Sequence, residues 1–340
     1  MKSLKRGSTL ITLMLLVFIT GLGLLVAKIQ MEASFYISNS GSRDLGYIYD
    51  RNGDIIFDDD AREGDYPDGY FKDFGNLIGD ASGQMTNTLV AKNLERLSNY
   101  SFTSGITRKG GKAAIYSTLD HKANEQVYSA FGDKEGCAIA YNYKTGEILV
   151  CVSRPSVDPL KGYDDLEEGS LLCKAFYKTI PGSTQKVATL ISATETMGMD
   201  KLMEKSYTCN GVYTNQTGLD IVCHNSYGHG TQNIAEAFAN SCNPFFAQLV
   251  EDPDWTLDDI ERCYTNLGIA VNDAEEKEFS IDGIISETAS TELTDKYEFN
   301  TQWGCIGQGK TVVSPCQMMM WQSAIANESG KSTMPHLIDH

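Results

Sequence analysis

The strongest pattern of hydrophobic positions comes first in the chain, where an uncharged apolar run over residues 7–27 follows three basic residues. A membrane-spanning helix needs about 20 such residues. Because basic flanks stay in the cytoplasm, we expect a cytoplasmic N-terminus over residues 1–7, a transmembrane anchor over 8–27 and a bulk outside the cell. A cleaved signal peptide is the alternative, but its apolar region is shorter and a small-residue cleavage site should follow it.

The next stretch, residues 28–110, has few long apolar runs and many Gly and Asp turn signals, which indicates a short pedestal or linker region. Apolar positions on both sides of Asn52-Gly53 predict two strands joined by a tight turn over residues 47–56. One helix is expected near residues 86–97.

From residue 111 the pattern indicates a larger domain over residues 111–340. A strand over 112–118 leads to a helix capped by Asp120, and two apolar runs joined by residues 143–146 predict an antiparallel hairpin. Helices are expected at about 184–197, 231–250 and 315–327. Strands followed by helices favour an α+β fold, in which helices cover an antiparallel sheet.

Composition supports a folded core, since 41% of residues are hydrophobic and 21% are charged. The chain has 45 acidic and 28 basic residues, a net charge of −17. No basic face remains that would neutralise phosphates, so a nucleic-acid partner is disfavoured.

The nine cysteines all lie after residue 136. No CxxC pair occurs, which gives a zinc site little support, and the sequence indicates neither a metal nor a cofactor. Cys209 and Cys223 lie in a loop-like stretch and could form a disulfide outside the cell. For the other cysteines, burial as small apolar side chains is the expected role.

Candidate chemistry begins at Ser183, where Pro181-Gly182 breaks the chain and a helix starts. Val187, Leu190 and Ile191 are expected to bury one face of that helix. Lys186 follows Ser183 by three residues, so both lie on one face of the first turn. A lysine there can act as a base if desolvation lowers its pKa. The alternative is a helix-capping serine followed by a surface lysine.

A second candidate segment is Ser241-Cys242-Asn243, 58 residues after Ser183. The hydroxyl of Ser241 could relay a proton, and the side-chain amide of Asn243 could hold a substrate carbonyl. A simple helix break is the alternative, because Asn243-Pro244 is a turn signal.

Taken together, these segments resemble class B penicillin-binding proteins, in particular the small penicillin-binding protein A type. The resemblance rests on eight stretches that occur in the family's order, at residues 49–53, 118–120, 145–149, 153–159, 181–186, 229–230, 241–243 and 304–309.

The resemblance implies a penicillin-binding serine transpeptidase fold and a membrane-anchored bacterial enzyme that cross-links peptidoglycan stem peptides. Ser183 would attack the penultimate D-Ala carbonyl, and Lys186 would take its proton. Ser241 would pass a proton to the leaving amine, and Asn243 would orient the peptide. β-Lactams would acylate the same serine, and a glycan polymerase is a further partner that the resemblance admits.

The family's third motif, Lys-Thr-Gly on a strand after the Gly-Gln-Gly helix, has no counterpart before His340. In the family that strand binds the substrate carboxylate and supplies an oxyanion-hole N–H. Lys144-Thr145-Gly146 precedes Ser183 in a hairpin turn, and Lys310-Thr311-Val312 lacks the glycine. We therefore expect the C-terminal strands to be missing and the transpeptidase domain to be incomplete.

That departure leaves alternatives to a working transpeptidase. One is a catalytically crippled fragment. Another is a non-catalytic penicillin-binding sensor or a scaffold of the wall-synthesis complex, although Ser183, Lys186, Ser241 and Asn243 are all retained. A secreted serine β-lactamase is a weaker alternative, because such enzymes lack pedestal residues such as 50–53.

Overall fold

The computed structural model describes residues 2–31, 45–98, 100–101, 105–106, 113–275 and 277–339. In chain order its strands are β1 Tyr47–Tyr49, β2 Ile55–Asp58, β3 Tyr100–Ser101, β4 Gly105–Ile106, β5 Ala114–Tyr116, β6 Gly136–Tyr141, β7 Ile148–Arg154, β8 Ser206–Cys209, β9 Val212–Thr214, β10 Asp220–Val222, β11 Gly230–Asn233, β12 Ala270–Val271, β13 Glu278–Ile281, β14 Ile284–Glu287 and β15 Ser290–Thr291. Its α-helices are α1 Lys2–Met31, α2 Gly75–Ile78, α3 Leu89–Lys92, α4 Leu94–Leu97, α5 His121–Ala130, α6 Lys186–Met197, α7 Met199–Glu204, α8 Ile234–Ala239, α9 Asn243–Val250, α10 Leu257–Asn266, α11 Phe299–Cys305 and α12 Pro315–Ala326.

Helix α1 contains the apolar run that the sequence places first. Its stretch Ile11–Ile29 is long and apolar enough to cross a membrane, and a signal sequence would meet the same criterion. Large side chains such as Phe18 and Leu24 are about two-thirds exposed, so none of the described protein surface covers them. Apolar area of this kind is stable when lipid takes the place of water.

A small three-stranded sheet comes next, with β1 between β2 and β5. The turn at Asn52-Gly53 joins β1 to its antiparallel neighbour β2, as the sequence predicts. Gly53 has φ +93°, a conformation that costs glycine little. The buried carboxylate of Asp50 accepts hydrogen bonds from the backbone N–H groups of Asn52, Asp54 and His121, and so ties the turn to α5.

The single helix expected near residues 86–97 is two short helices, α3 and α4. Asn93 divides them, and its side-chain amide donates to Leu89 O and to Asp282 O. A short polar side chain that competes for backbone partners is a known helix interrupter. The interruption ties this region to the β13–β14 hairpin.

The predicted β6–β7 hairpin is confirmed, with Gly136 opposite Arg154 at its open end. Helix α5 packs on β7, and its cap Asp120 accepts from Ala123 N as expected. One hydrophobic cluster contains Ile48, Leu89, Ile148 and Leu337 and so is continuous across residue 110. The domain boundary expected there stays a prediction.

A second hydrophobic cluster is formed mainly by α6–α11 and holds Phe245, Trp255 and Tyr264 at its centre. The single helix expected over residues 231–250 is wrong. The segment contains strand β11, helix α8, a break and helix α9. The break falls at Ser241, whose φ is +50°, and α9 then begins at Asn243 with Pro244 in its first turn. The α+β class expected from the sequence is confirmed.

Candidate active site

Ser183 lies in a single 3₁₀ turn, Gly182–Gln185, directly before α6. Gly182 N donates to Gly307 O at 2.9 Å, which fastens the turn to the loop after α11. Gly307 has φ +92°, and a Cβ there would overlap the carbonyl oxygen of Gly182. The Gly-Gln-Gly segment therefore supports the chain beside Ser183 through close backbone contact, while the serine itself is exposed.

Lys186 is the first residue of α6, and only 1% of its surface is exposed. Its Nζ lies 2.9 Å from Ser183 Oγ. It also lies 2.9 Å from Ser241 O, 3.1 Å from Ser241 Oγ and 2.7 Å from Asn243 Oδ1. The four residues predicted to act together thus meet at one amine, and the alternative of a surface lysine is wrong.

The acceptors around Lys186 define how its nitrogen is used. Ser241 O and Asn243 Oδ1 are carbonyl oxygens, which accept but never donate hydrogen bonds. A neutral amine can give its two N–H groups to them, and its lone pair then remains for the hydroxyl of Ser183. Burial lowers the pKa of Lys186 to about 8, against opposing charge effects from Cys242 and Cys223, so the neutral form is within reach near physiological pH.

The Ser241 loop is held by its own backbone and by Asn243. Cys242 N donates to Ala237 O at 3.0 Å, and Asn243 Nδ2 donates to Val222 O at 3.1 Å. The second bond fixes which end of the Asn243 amide faces Lys186. One N–H of that amide remains available for a ligand carbonyl.

The buried face of α6 differs from the sequence expectation. Val187, Leu190 and Ile191 are only half-buried, and the fully buried positions after Lys186 are Ala188, Thr189, Ser192 and Ala193. Thr189 Oγ1 lies 2.8 Å from the hydroxyl of Tyr264, whose helix α10 packs closely on α6. Small side chains on α6 allow the two helices to approach closely. The spacing of the large apolar residues along the sequence does not show this buried face.

Neither literal Lys-Thr segment serves as a third motif in the described structure. Lys144-Thr145-Gly146 lies in the β6–β7 turn, as expected. Lys310 forms an exposed ion pair with Glu292 at 2.7 Å. Among the described residues after α12, β pairing is limited to two isolated bridges, Ile338 with Ser117 and His336 with Glu147.

Sequence reasoning missed a cluster of thiols beside this site. All nine cysteines are free, including Cys209 and Cys223. These two lie together with Cys242 and His229, and the four ligand atoms are within 4.8 Å of one another. The spacings along the chain are wide and irregular, so a search for CxxC pairs does not find them.

The model of the family described as the penicillin binding protein transpeptidase domain matches residues 136–340, more than half of the chain. The chain belongs to the penicillin-binding proteins with this transpeptidase domain. It is similar to stage V sporulation protein D of Bacillus subtilis, with 35% identity over 118 residues. That alignment covers 34% of this chain and 18% of the relative, so it spans less than a fifth of that protein.

The fold of this penicillin-binding protein is similar to that of penicillin-binding protein A from Mycobacterium tuberculosis. The TM-score is 0.71 at 20% identity, over 87% of this chain and 73% of that one. Penicillin-binding protein 2 from Pseudomonas aeruginosa gives 0.63 at 20% identity, over 87% and 71%. The fold expected from the sequence is confirmed.

Proposed function

We propose that this penicillin-binding protein is a class B D,D-transpeptidase that cross-links peptidoglycan stem peptides through an acyl-enzyme on Ser183. The observation that supports the proposal is the buried amine of Lys186, which lies within hydrogen-bond distance of Ser183, Ser241 and Asn243. The structure of the relative from M. tuberculosis with ceftriaxone is an acyl-enzyme complex.

In the proposed first step, the hydroxyl oxygen of Ser183 bonds to the carbonyl carbon of the penultimate D-Ala. Its proton passes to neutral Lys186, whose other two N–H groups stay on Ser241 O and Asn243 Oδ1. As the C–N bond breaks, the hydroxyl of Ser241, 3.1 Å from Nζ, gives its proton to the leaving D-Ala amine and takes from Lys186 the proton that came from Ser183. The amine nitrogen of a second stem peptide then bonds to the acyl carbon as the ester bond to Ser183 Oγ breaks, and the proton that this amine loses passes through Lys186 to Ser183 Oγ.

We propose that α1 anchors the chain in the bacterial cell membrane and that residues 45–339 lie outside the cytoplasm. The length and apolar character of Ile11–Ile29 support an anchor. The substrate class agrees with that placement, because stem peptides are cross-linked on the outer side of the membrane.

The experiment is a mass measurement of the full chain in detergent after incubation with penicillin G. We expect a gain of one drug mass, located by peptide mapping at Ser183. Ser183→Ala should remove the adduct, whereas Ser129→Ala, a change at an exposed serine at the end of α5, should leave it unchanged.

Turnover is then tested with a D-Ala-D-Ala stem peptide and an amine acceptor. Release of one D-Ala for each cross-link formed supports the transpeptidase. A folded chain that takes up no penicillin contradicts the proposal. A chain that takes up penicillin but never releases D-Ala contradicts the transpeptidase and supports a sensor.

A further inference from the structure

Four metal-ligand side chains from separate parts of the chain meet beside the Ser241 loop. The thiol sulfurs of Cys209, Cys223 and Cys242 and a ring nitrogen of His229 all lie within 4.8 Å of one another. The three cysteines are 1%, 4% and 0% exposed. Nδ1 of His229 lies 3.4 Å from Cys223 Sγ, so the imidazole faces the thiols through a nitrogen that can bind a metal.

The backbone holds each ligand independently of the others' side chains. Cys209 ends β8, and its carbonyl accepts from His229 N at 3.0 Å. Cys223 N donates to Gly211 O at 2.8 Å, directly after β10. A Cβ at Gly228, which has φ +78°, would overlap Cys209 O, so only glycine lets the two loops meet this closely. The ligand set is therefore arranged by the fold.

The chemistry of these four side chains determines which metal ion they can bind. Three thiolates and one imidazole match the Cys₃His set of structural zinc sites, in which zinc is four-coordinate and tetrahedral. Soft sulfur ligands disfavour Mg²⁺ and Ca²⁺, which prefer oxygen. All four ligands come from the protein, which leaves no open position for a reacting water.

We propose that Cys209, Cys223, His229 and Cys242 bind one structural Zn²⁺ ion. On binding, the three thiols release three protons to solvent and form Zn–S bonds, and neutral His229 supplies a nitrogen lone pair without losing a proton. The site has a net charge of −1. No electron is transferred, and no further reactant is needed.

The position of Cys242 gives the metal a role in the neighbouring site. Cys242 lies between Ser241 and Asn243, and its three co-ligands lie on or next to β8, β10 and β11. A Zn–S bond there fixes the loop in which Ser241 adopts φ +50°. We assign Cys242 and its co-ligands a positioning role for the loop. This consequence rests on the proposed function, whereas the metal site does not.

The test uses the full chain in detergent, purified without a histidine tag. We expect about one zinc per chain by elemental analysis. Cys209→Ser should lose most of this zinc, and Cys263→Ser, which changes a buried cysteine of α10 outside the cluster, should keep it. Removal of zinc by a chelator should lower Tm by about 5–10 °C, and added zinc should restore it.

A second measurement does not depend on any variant folding. Cobalt added to the reduced, metal-free parent chain should give the strong visible bands of tetrahedral thiolate-bound Co²⁺, and one equivalent of zinc should remove them. A reduced, folded parent that binds neither metal overturns the proposal. A Cys209–Cys223 disulfide found by peptide mapping of the isolated parent overturns it as well.

Penicillin uptake on the same samples separates the two proposals. Slower acylation after metal removal, reversed by zinc, supports the positioning role, and an unchanged rate overturns that role. If the parent binds zinc and takes up no penicillin, the proposed function fails and the metal site stands.

Discussion

At the scale of single residues, the site depends on one buried amine with more acceptors than it has hydrogens. Lys186 Nζ is within 3.1 Å of four oxygen atoms, although an ammonium group has three protons. Two of these oxygens are carbonyls that only accept. Hydrogen bonds to these acceptors favour the protonated amine, whereas desolvation by burial acts in the opposite direction and lowers the pKa of Lys186 to about 8.

We predict that penicillin acylation of the parent accelerates as pH rises from 6 to about 8 and then levels off. Below a pKa of about 8, Lys186 holds its extra proton and cannot accept one from Ser183. Lys186→Arg, which stays protonated, should lower the rate by about 10²–10⁴ and remove this pH dependence. The check is stopped-flow acylation across the pH range.

Lys205→Arg is the matched control, because Lys205 forms ion pairs with Asp252 and Asp254 that an arginine can replace. It should keep both the parent rate and its pH profile. A Lys186→Arg protein with the parent profile would show that another group accepts the proton.

At the scale of elements, the nucleophile turn is positioned by a backbone contact between two loops. The 3₁₀ turn Gly182–Gln185 contacts the loop after α11 through the hydrogen bond from Gly182 N to Gly307 O. Thr179, which precedes this turn, forms a β-bridge with Val313. The sequence identifies both segments as motifs. The sequence does not show why position 307 requires glycine. The reason is that a Cβ there would overlap Gly182 O.

We predict that Gly307→Ala lowers the stability of the protein by about 1–3 kcal/mol and slows acylation, because its Cβ pushes the turn that carries Ser183. Gly309→Ala is the control. It has a similar strained φ of +66°, but its nearest contact for a Cβ, on Trp303, is 3.6 Å away. Urea unfolding and acylation rates measure both effects.

Equal acylation rates in the two variants would mean that the Gly182–Gly307 contact does not position the serine. Equal losses of stability would assign the whole effect to the positive φ.

At the scale of the whole molecule, a buried acid in the first hydrophobic cluster connects stability to pH. Asp73 is 4% exposed, and His121 Nε2 lies 3.9 Å from its carboxylate. Burial raises the pKa of Asp73 to about 8, so the folded state keeps a proton that the unfolded state releases near pH 4. Stability is therefore lost as pH rises from about 4 to 8.

We predict that Asp73→Asn stabilises the protein at pH 8 relative to the parent, and does so less at pH 5. The amide cannot ionise, so the difference in unfolding free energy should grow by about 1–3 kcal/mol between these pH values. Asp133→Asn, at an exposed position after α5, is the control. Urea unfolding at both pH values gives the answer, and a constant difference for Asp73→Asn would contradict it.

The sequence by itself determined what local chemistry dictates. Apolar length gave α1, turn residues gave the β1–β2 and β6–β7 hairpins, and Asp120 marked the start of α5. Motif order gave the family and proposed Ser183, Lys186, Ser241 and Asn243 as a group.

Only the tertiary structure decided what depends on distant segments. It divided the helix expected over residues 231–250 at Ser241, and it made the small residues of α6 the buried face. It also brought Cys209, Cys223, His229 and Cys242 to one point. Local propensity acts over a few neighbours, whereas a ligand cluster and a buried face are set by which surfaces meet, and the wide spacings of these residues do not encode that.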